Sequence, residues 1–459
     1  MGSMGRVSKL LIAVVCCGFL NASAQAQDLM TILQLALEND PTLNQAEAQY
    51  RANSENVIQT RASLLPTLGV GGTTARESSG LASPRFDPNS GLTIPDHSFR
   101  PGQNSHNWGI SLNQSVFNLA NWYSLESAKA SDRAGTANLA AQEQDLIMRT
   151  AAAYFDILRA QDLLETNVQE EEAALRSLEQ TQQREEVGLV AITDVYDAQA
   201  AYDLARNTTI LQQNALRASF EALEAITGQA HPNIEELTEN FPIVDVEGTL
   251  EEWEDQAENN SLAIMAAKYN LDATQKNLKA RRADHLPTVS FSGGFRHIVS
   301  AGTVIGGVRS EGGKFDQTSL SLSISVPLFS GGATSSRRRA AEYNVLAAEE
   351  SLELTRRQLT QNIRNAYRRV NTDVLVIAQR QQSITSAQSA LDATELGAEV
   401  GTRNIVEVLR ARENLYRALR QYAEARYNYV IDSLVLKQVA GILTPQDVIE
   451  LNQWLQEAN

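Results

Sequence analysis

The residues that could do covalent chemistry are few and poorly spaced for it. The five histidines, His97, His106, His231, His285 and His297, show neither HxH nor HExxH spacing, and no nucleotide-binding loop or nucleophile elbow occurs. Both cysteines, Cys16 and Cys17, lie in an apolar N-terminal run, so the rest of the chain can form no disulfide and no Cys-ligated metal site. No catalysis and no cofactor are expected. Two short turns stand out instead. Behind Val187-Gly188-Leu189, Thr193-Asp194 opens a helix and sets Asp194 near its positive end. Behind Val400-Gly401-Thr402 come Arg403, Glu407 and Arg410, and Glu407 and Arg410 stand three apart on a helix, where they can pair.

These turns belong to a unit that the chain carries twice. Arg61-Ala62-Ser63-Leu64-Leu65-Pro66-Thr67 returns about 220 residues later as Arg282-Ala283-Asp284-His285-Leu286-Pro287-Thr288. A similar offset relates Ile192 to Ile405 and Val195 to Val408. A doubled unit with its elements in one order describes an assembly element, since an active site need not be written twice.

The N-terminus reads as a secretory signal over residues 1–26. Arg6 and Lys9 precede the apolar run Leu10–Leu20, and Ala24-Gln25-Ala26 offers a small-residue cleavage site. Lipid anchoring is disfavoured, because Cys16 follows Val15 and Cys17 follows Cys16. No later apolar run approaches the 20 or so residues of a transmembrane helix, so an exported chain of this kind is either soluble or a membrane β-barrel. Losing Arg6 and Lys9 takes the formal charge from −16 to about −18, which disfavours nucleic acid and anionic membrane surfaces as partners.

Two repeats follow, 27–248 and 249–459. In the first, a helix precedes Leu65-Pro66, with Pro41 set to restart or bend it after Asn39-Asp40. Strands are expected at about 67–76 and 108–117, with a polar loop from Glu77 to about Ser105 between them. A helical hairpin over 120–228 comes next, then a connector. Ala120 to Glu186 contains no proline and would make a helix roughly 100 Å long at about 1.5 Å per residue. Its heptads put Ile147, Tyr154, Val168 and Leu175 at one position and Ile157, Leu164 and Leu178 at the other, an imperfect coiled-coil seam. The second repeat has a helix, strands at about 288–298 and 318–328, a hairpin over 333–441 and a short C-terminal segment. Leu320-Ser321-Leu322-Ser323-Ile324-Ser325-Val326 is the clearest strand, with one aliphatic and one hydroxyl face. That pattern fits a water-filled membrane barrel and equally a sandwich strand with one wet face; the signal and the paired repeats favour the membrane.

Four strands cannot close a membrane barrel, and an open edge in lipid leaves backbone groups unpaired at several kcal/mol each. Other copies of the chain must complete it. Eight strands from two chains would fill with their own side chains, whereas twelve from three leave a lumen. The expected fold class is therefore membrane α+β: a trimeric 12-stranded outer-membrane β-barrel, four strands per chain, continuing into a long periplasmic α-helical, coiled-coil-like tunnel built from two tandem repeats. An exported helical stalk for surface attachment is the alternative, and it leaves the doubled strand pairs unexplained.

The segment Glu186-Val187-Gly188-Leu189-Val190-Ala191-Ile192-Thr193-Asp194-Val195 resembles the TolC family of trimeric outer-membrane efflux ducts. So do Val400-Gly401-Thr402-Arg403-Asn404-Ile405-Val406-Glu407-Val408-Leu409 and Ala425-Arg426-Tyr427-Asn428-Tyr429, in order and over essentially the whole mature chain. The resemblance implies a passive exit duct for drugs, toxins or proteins in efflux or type I secretion. The implied partners are a homotrimer, a periplasmic adaptor, an inner-membrane transporter of RND, ABC or MFS type, and outer-membrane lipid. It implies that Val187, Gly188, Leu189, Val400, Gly401 and Thr402 meet the adaptor at the periplasmic tip. It further implies that Thr193, Asp194 and Arg403 are polar links of the closed gate, where an Arg fork can bridge a carboxylate and a second acceptor. Two positions depart from the family pattern: Ala398 stands where a tyrosine usually joins the lock, and Arg410 stands where a second acidic ring usually accompanies Glu407. A weaker lock and a less cation-selective tip are expected.

Overall fold

The computed structural model describes residues 27–77, 80–99, 103–238, 240–300, 303–305 and 308–456; the signal segment read over 1–26 lies outside them. In chain order they form α1 (Leu29–Asn39), α2 (Pro41–Ala62), β1 (Thr67–Glu77), β2 (Gly80–Asp87), β3 (Leu92–Phe99), β4 (Gln103–Phe117), α3 (Leu119–Glu186), α4 (Ile192–Thr227) and β5 (Glu236–Leu237). The order then recurs as α5 (Leu250–Asn260), α6 (Leu262–Ala283), β6 (Thr288–Ser300), β7 (Thr303–Ile305), β8 (Val308–Ser310), β9 (Gly313–Ser325), α7 (Ala333–Glu399) and α8 (Ile405–Val439). A last helix, α9 (Pro445–Asn452), and β10 (Leu455–Gln456) end it. Among the described residues no helix is long and apolar enough to cross a membrane. Contacts divide the chain into two units, one of residues up to 49, 137–265 and 354–459, the other of 50–136 and 266–353.

In the first unit the junction of α1 and α2 sits on one buried carboxylate. Pro41 lacks the N–H that would continue α1 and starts α2 instead. Asp40 accepts the Leu43 N–H at 2.7 Å and both Arg149 guanidinium nitrogens at 3.2 Å. Burial alone would push its carboxyl up, but the bonds from Arg149 and the helix amide outweigh that and hold it below the usual range. The core gathers Leu29, Ile32 and Leu33 of α1 against Ile147, Tyr154 and Ile157 of α3 and Val430 and Leu434 of α8. Ile147, Tyr154, Ile157 and Leu178 of the heptad seam are buried, Leu164 and Val168 are half-buried, and Leu175 is exposed. The seam thins there because the core cluster takes nothing from α3 beyond Leu158.

The second unit holds a four-stranded antiparallel sheet in the order β1-β4-β6-β9. Its strands start or end differently from the alternation alone: β4 begins at Gln103, β9 begins at Gly313, and β9 stops at Ser325. Pro327, which has no N–H for a ladder, follows that stop. The stretch expected to be a polar loop after Glu77 is a hairpin of β2 and β3. Its turn is held by Asp87, whose carboxylate accepts the Asn89 N–H at 3.0 Å and the Ser90 hydroxyl at 2.8 Å. The strand character was hidden by Pro84 and Pro95, which stand directly opposite each other. A shorter hairpin, β7 with β8, occupies the matching place in the second repeat.

One pair of helices carries a like-charge contact. Arg369 of α7 bonds Asp432 of α8 at 3.0 Å, and Asp373 faces the same carboxylate with one oxygen buried and unpartnered. Burial, then the charge of Asp432, push the Asp373 carboxyl up to about 6 from its ordinary 3.8. The folded form thus binds the proton more tightly than the unfolded one, so stability falls as pH rises from 3.8 to about 6 and stays reduced above it. Asp373→Asn should therefore raise the melting temperature at neutral pH and change it little near pH 4. An equal effect at both pH values would contradict this.

Candidate channel lining and tip residues

The sheet of the second unit has two chemically distinct faces, set by its register. On one face Val70, Ile110 and Phe295 form one cross-strand row and Leu68, Leu112 and Leu320 lie in the next, with Leu322 and Ile324 further along β9. Leu68, Val70, Leu320, Leu322 and Ile324 are exposed, Val70 at 75% and Leu320 at 74%. The other face is mostly serine, threonine, asparagine and glycine, with Arg296 and Gln317 in one row and Ile298 and Phe315 in the next. Ser290 bonds Ser323 at 3.1 Å and Ser292 bonds Ser321 at 2.8 Å across the β6–β9 pair. Near one end of the apolar face Trp108 lies 5.6 Å from Phe295 and 5.9 Å from His297, whose ring bonds Asp316 at 2.5 Å. An apolar band ending in an aromatic with polar neighbours suits a lipid–water boundary. The outer edges of β1 and β9 have no strand partner among the described residues.

At the first turn of the other unit, Gly188 closes α3 with φ +76°, its N–H on the Glu185 carbonyl at 2.7 Å and the Leu189 N–H on Arg184 at 2.8 Å. Val187 and Leu189 are left about 70% exposed. Asp194 accepts the Ala191 N–H at 3.4 Å and so caps α4. Thr193 lies in the first turn of that helix.

The second turn is tighter. Gly401 has φ +77°, and the Gly397 carbonyl takes the Thr402 N–H at 2.8 Å, the Arg403 N–H at 3.1 Å and the Thr402 hydroxyl at 3.0 Å. A Cβ on Gly397 would stand 2.7 Å from Arg403 Cγ, so this glycine lets the turn fold back on α7. Val400 is as exposed as Val187. Asn404 caps α8 by accepting the Glu407 N–H at 2.9 Å.

Arg403 bonds Glu407 at 3.5 Å. The expected pair of Glu407 with Arg410 is not made, because the turn brings Arg403 one helical turn before Glu407 and its side chain takes that carboxylate. Arg410 instead lines a groove between α4 and α8 with Glu170, Asp197, Glu413 and Arg412. Within one chain Asp194 and Arg403 thus serve separate turns, and no bond joins them among the described residues. Ala398 packs with Leu391, Val408 and Leu415 in a small apolar cluster that zips α7 to α8.

A ladder down α8, at every fourth residue, was not singled out by spacing. Arg412 donates to the Ala173 carbonyl at 2.9 Å and to Glu395 at 2.6 Å. Tyr416 donates to the Gln169 carbonyl at 3.2 Å, and Arg420 reaches Asn167 at 2.9 Å and also Glu170. The period of four among long polar residues was the available signal; their acceptors are mostly backbone or distant in sequence.

The family described as "Outer membrane efflux protein" matches residues 32–229 and 253–442, one stretch on each side of the connector. The chain belongs to this family. It is 34% identical to Outer membrane protein TolC of Vibrio cholerae over 443 residues, covering 96% of this chain and 97% of that protein. It is 26% identical to the Proteases secretion protein PrtF of Dickeya chrysanthemi, over 98% of this chain and 96% of the relative. Among solved structures the outer membrane protein VceC from Vibrio cholerae shares the fold with a TM-score of 0.73 at 19% identity, covering 90% of this chain and 96% of that one. As an outer membrane efflux protein the chain is a channel of efflux or type I secretion, placed in the outer membrane of a Gram-negative bacterium.

The ladder gives a stability test. Removing Arg420 leaves Glu170 partly buried and unpaired, so Arg420→Met should open α8 locally by about 2 kcal/mol, seen as faster amide exchange over residues 412–424. Arg417→Met breaks only the exposed pair with Glu413 and should cost under about 0.5 kcal/mol. Equal exchange in both variants would remove the ladder's role.

Proposed function

We propose that three copies of this chain close a twelve-stranded barrel, with the hydroxyl face lining water and the apolar face meeting lipid, and that the long helices continue it as a gated periplasmic tunnel. The observation that carries this reading is the two-faced sheet whose outer edges on β1 and β9 have no strand partner among the described residues. In lipid those edges would leave backbone groups unsatisfied, and neighbouring copies supply the missing partners. An exported stalk would have no use for an exposed apolar sheet face.

The tip acts as the gate and the docking end. Val187, Gly188 and Leu189 with Val400, Gly401 and Thr402 meet hairpins of a periplasmic adaptor, their exposed apolar side chains providing the contact. An inner-membrane transporter of RND, ABC or MFS type supplies the energy, and drugs, toxins or proteins pass through without chemistry by this chain. Thr193, Asp194, Arg403, Glu407 and Arg410 form the polar surface of the closed tip. Arg403 leaves Glu407, a 3.5 Å contact between exposed groups, to bridge towards Asp194 at low cost. Ala398 adds packing and no hydroxyl, which keeps the lock weak. Arg410, without Glu407 as partner, reduces the preference for cations.

Single-channel recording in a planar bilayer tests the gate. The unmodified protein should give small, stable steps that grow several-fold in Arg403→Ser, with weak cation selectivity in a salt gradient. Equal, already large steps would remove the lock. Strong cation selectivity would remove the role given to Arg410, and absence of conductance from folded protein would overturn the channel reading.

A further inference from the structure

The hydroxyl face carries a single charge across the middle of the sheet. Its cross-strand rows run from Thr67, Asn113, Ser292 and Ser321 up to Ala75, Ser105, Ser300 and Gly313. Every residue in these rows is uncharged except Arg296. Its own row is Gly71, Gly109, Arg296 and Gln317.

Arg296 is exposed, and no hydrogen bond or ion pair engages it among the described residues. The two strands on one side contribute glycine at its level. At Gly109 the glycine is required, since a Cβ there would stand 2.6 Å from the Phe295 carbonyl and 3.3 Å from Arg296 Cα. Gly71 and Gly109 carry no side chains, so on that side the row sets none beside Arg296. Gln317 on the other side is neutral. Among the described residues Arg296 is thus an unpartnered cation whose flanking rows hold hydroxyl, amide and apolar side chains and no carboxylate.

We propose that Arg296 makes the barrel lumen a binding place for anionic solutes, phosphate-bearing ones above all. The proposal rests on the reading that the hydroxyl face lines the lumen of a trimer. Three copies then set three guanidinium groups at one level, with no carboxylate in the rows around them. A guanidinium suits this ligand because its planar fork takes two phosphate oxygens together, where an ammonium acts as a point charge. The field of such a collar reaches about 30 Å at 0.01 M salt and only about 3 Å at 1 M, so binding must weaken steeply with ionic strength.

The test uses the full chain reconstituted in planar bilayers, with inositol hexakisphosphate added to each chamber in turn at low and at high salt. At low salt the unmodified channel should be blocked from the chamber facing the β2–β3 hairpins. Arg296→Ser should raise the half-blocking concentration at least about tenfold, with Arg296→Lys in between and the block lost near 1 M salt. Neutral inositol should not block. If Arg296→Ser fails to insert, Arg296→Gln against Arg296→Lys makes the same comparison. Block that is equal with and without the charge at position 296, or equal with neutral inositol, overturns the proposal while leaving the channel in place. A folded, unmodified protein that never conducts overturns the lumen reading itself.

Discussion

A sheet that must sit in lipid cannot leave its edges open, and most of this architecture follows from that constraint. The four strands of one chain pair internally and end at β1 and β9, where every second residue turns its N–H and C=O away from the sheet. Water satisfies such groups and hydrocarbon does not, at several kcal/mol each. The face chemistry makes lipid the fitting solvent on one side, since leucine, valine, isoleucine and phenylalanine occupy it and, among the described residues, most of the aliphatic ones are exposed. On the proposed reading, assembly is therefore the condition for placing this sheet in lipid.

The helical unit shows the same economy of core. Its well-packed part is where α1, α3, α7 and α8 converge, around Tyr154, Phe155 and Ile363. Beyond it α3 is held to α8 by arginine and tyrosine bonds to carbonyls and carboxylates, with only a small cluster of Leu391, Val408 and Leu415 near the tip. Polar links of this kind keep two helices in register without welding them. Long helices that stay in register but pack lightly fit the proposed tunnel wall with an opening end.

Where local chemistry dominates, the sequence was readable. Serine alternating with leucine or isoleucine at 320–325 marked the two faces of β9, Pro41 marked the start of α2, and Val-Gly-X marked both turns. The hairpin of β2 and β3 was not readable, because Pro84 and Pro95 argue against strands singly and are tolerated opposite each other. The role of Gly397 was equally hidden, since it depends on Arg403 folding back over it. Spacing on an ideal helix suggested Glu407 with Arg410; the turn geometry delivers Arg403 instead. The α8 ladder escaped because most of its partners lie about 240 residues away or more, Glu395 being the near exception. Side-chain types and local period carry the elements, and long-range partners settle what the charged residues do.

The central claim is that alternate residues of one strand face water and lipid. The described chain contains no cysteine, so single cysteines placed in turn at Ser319, Leu320, Ser321, Leu322, Ser323 and Ile324 of the membrane-inserted protein would report it directly. Labelling by a charged, water-soluble thiol reagent should alternate, fast at the three serine positions and slow at the three aliphatic ones. Uniform labelling along the strand, or the opposite phase, would contradict the account.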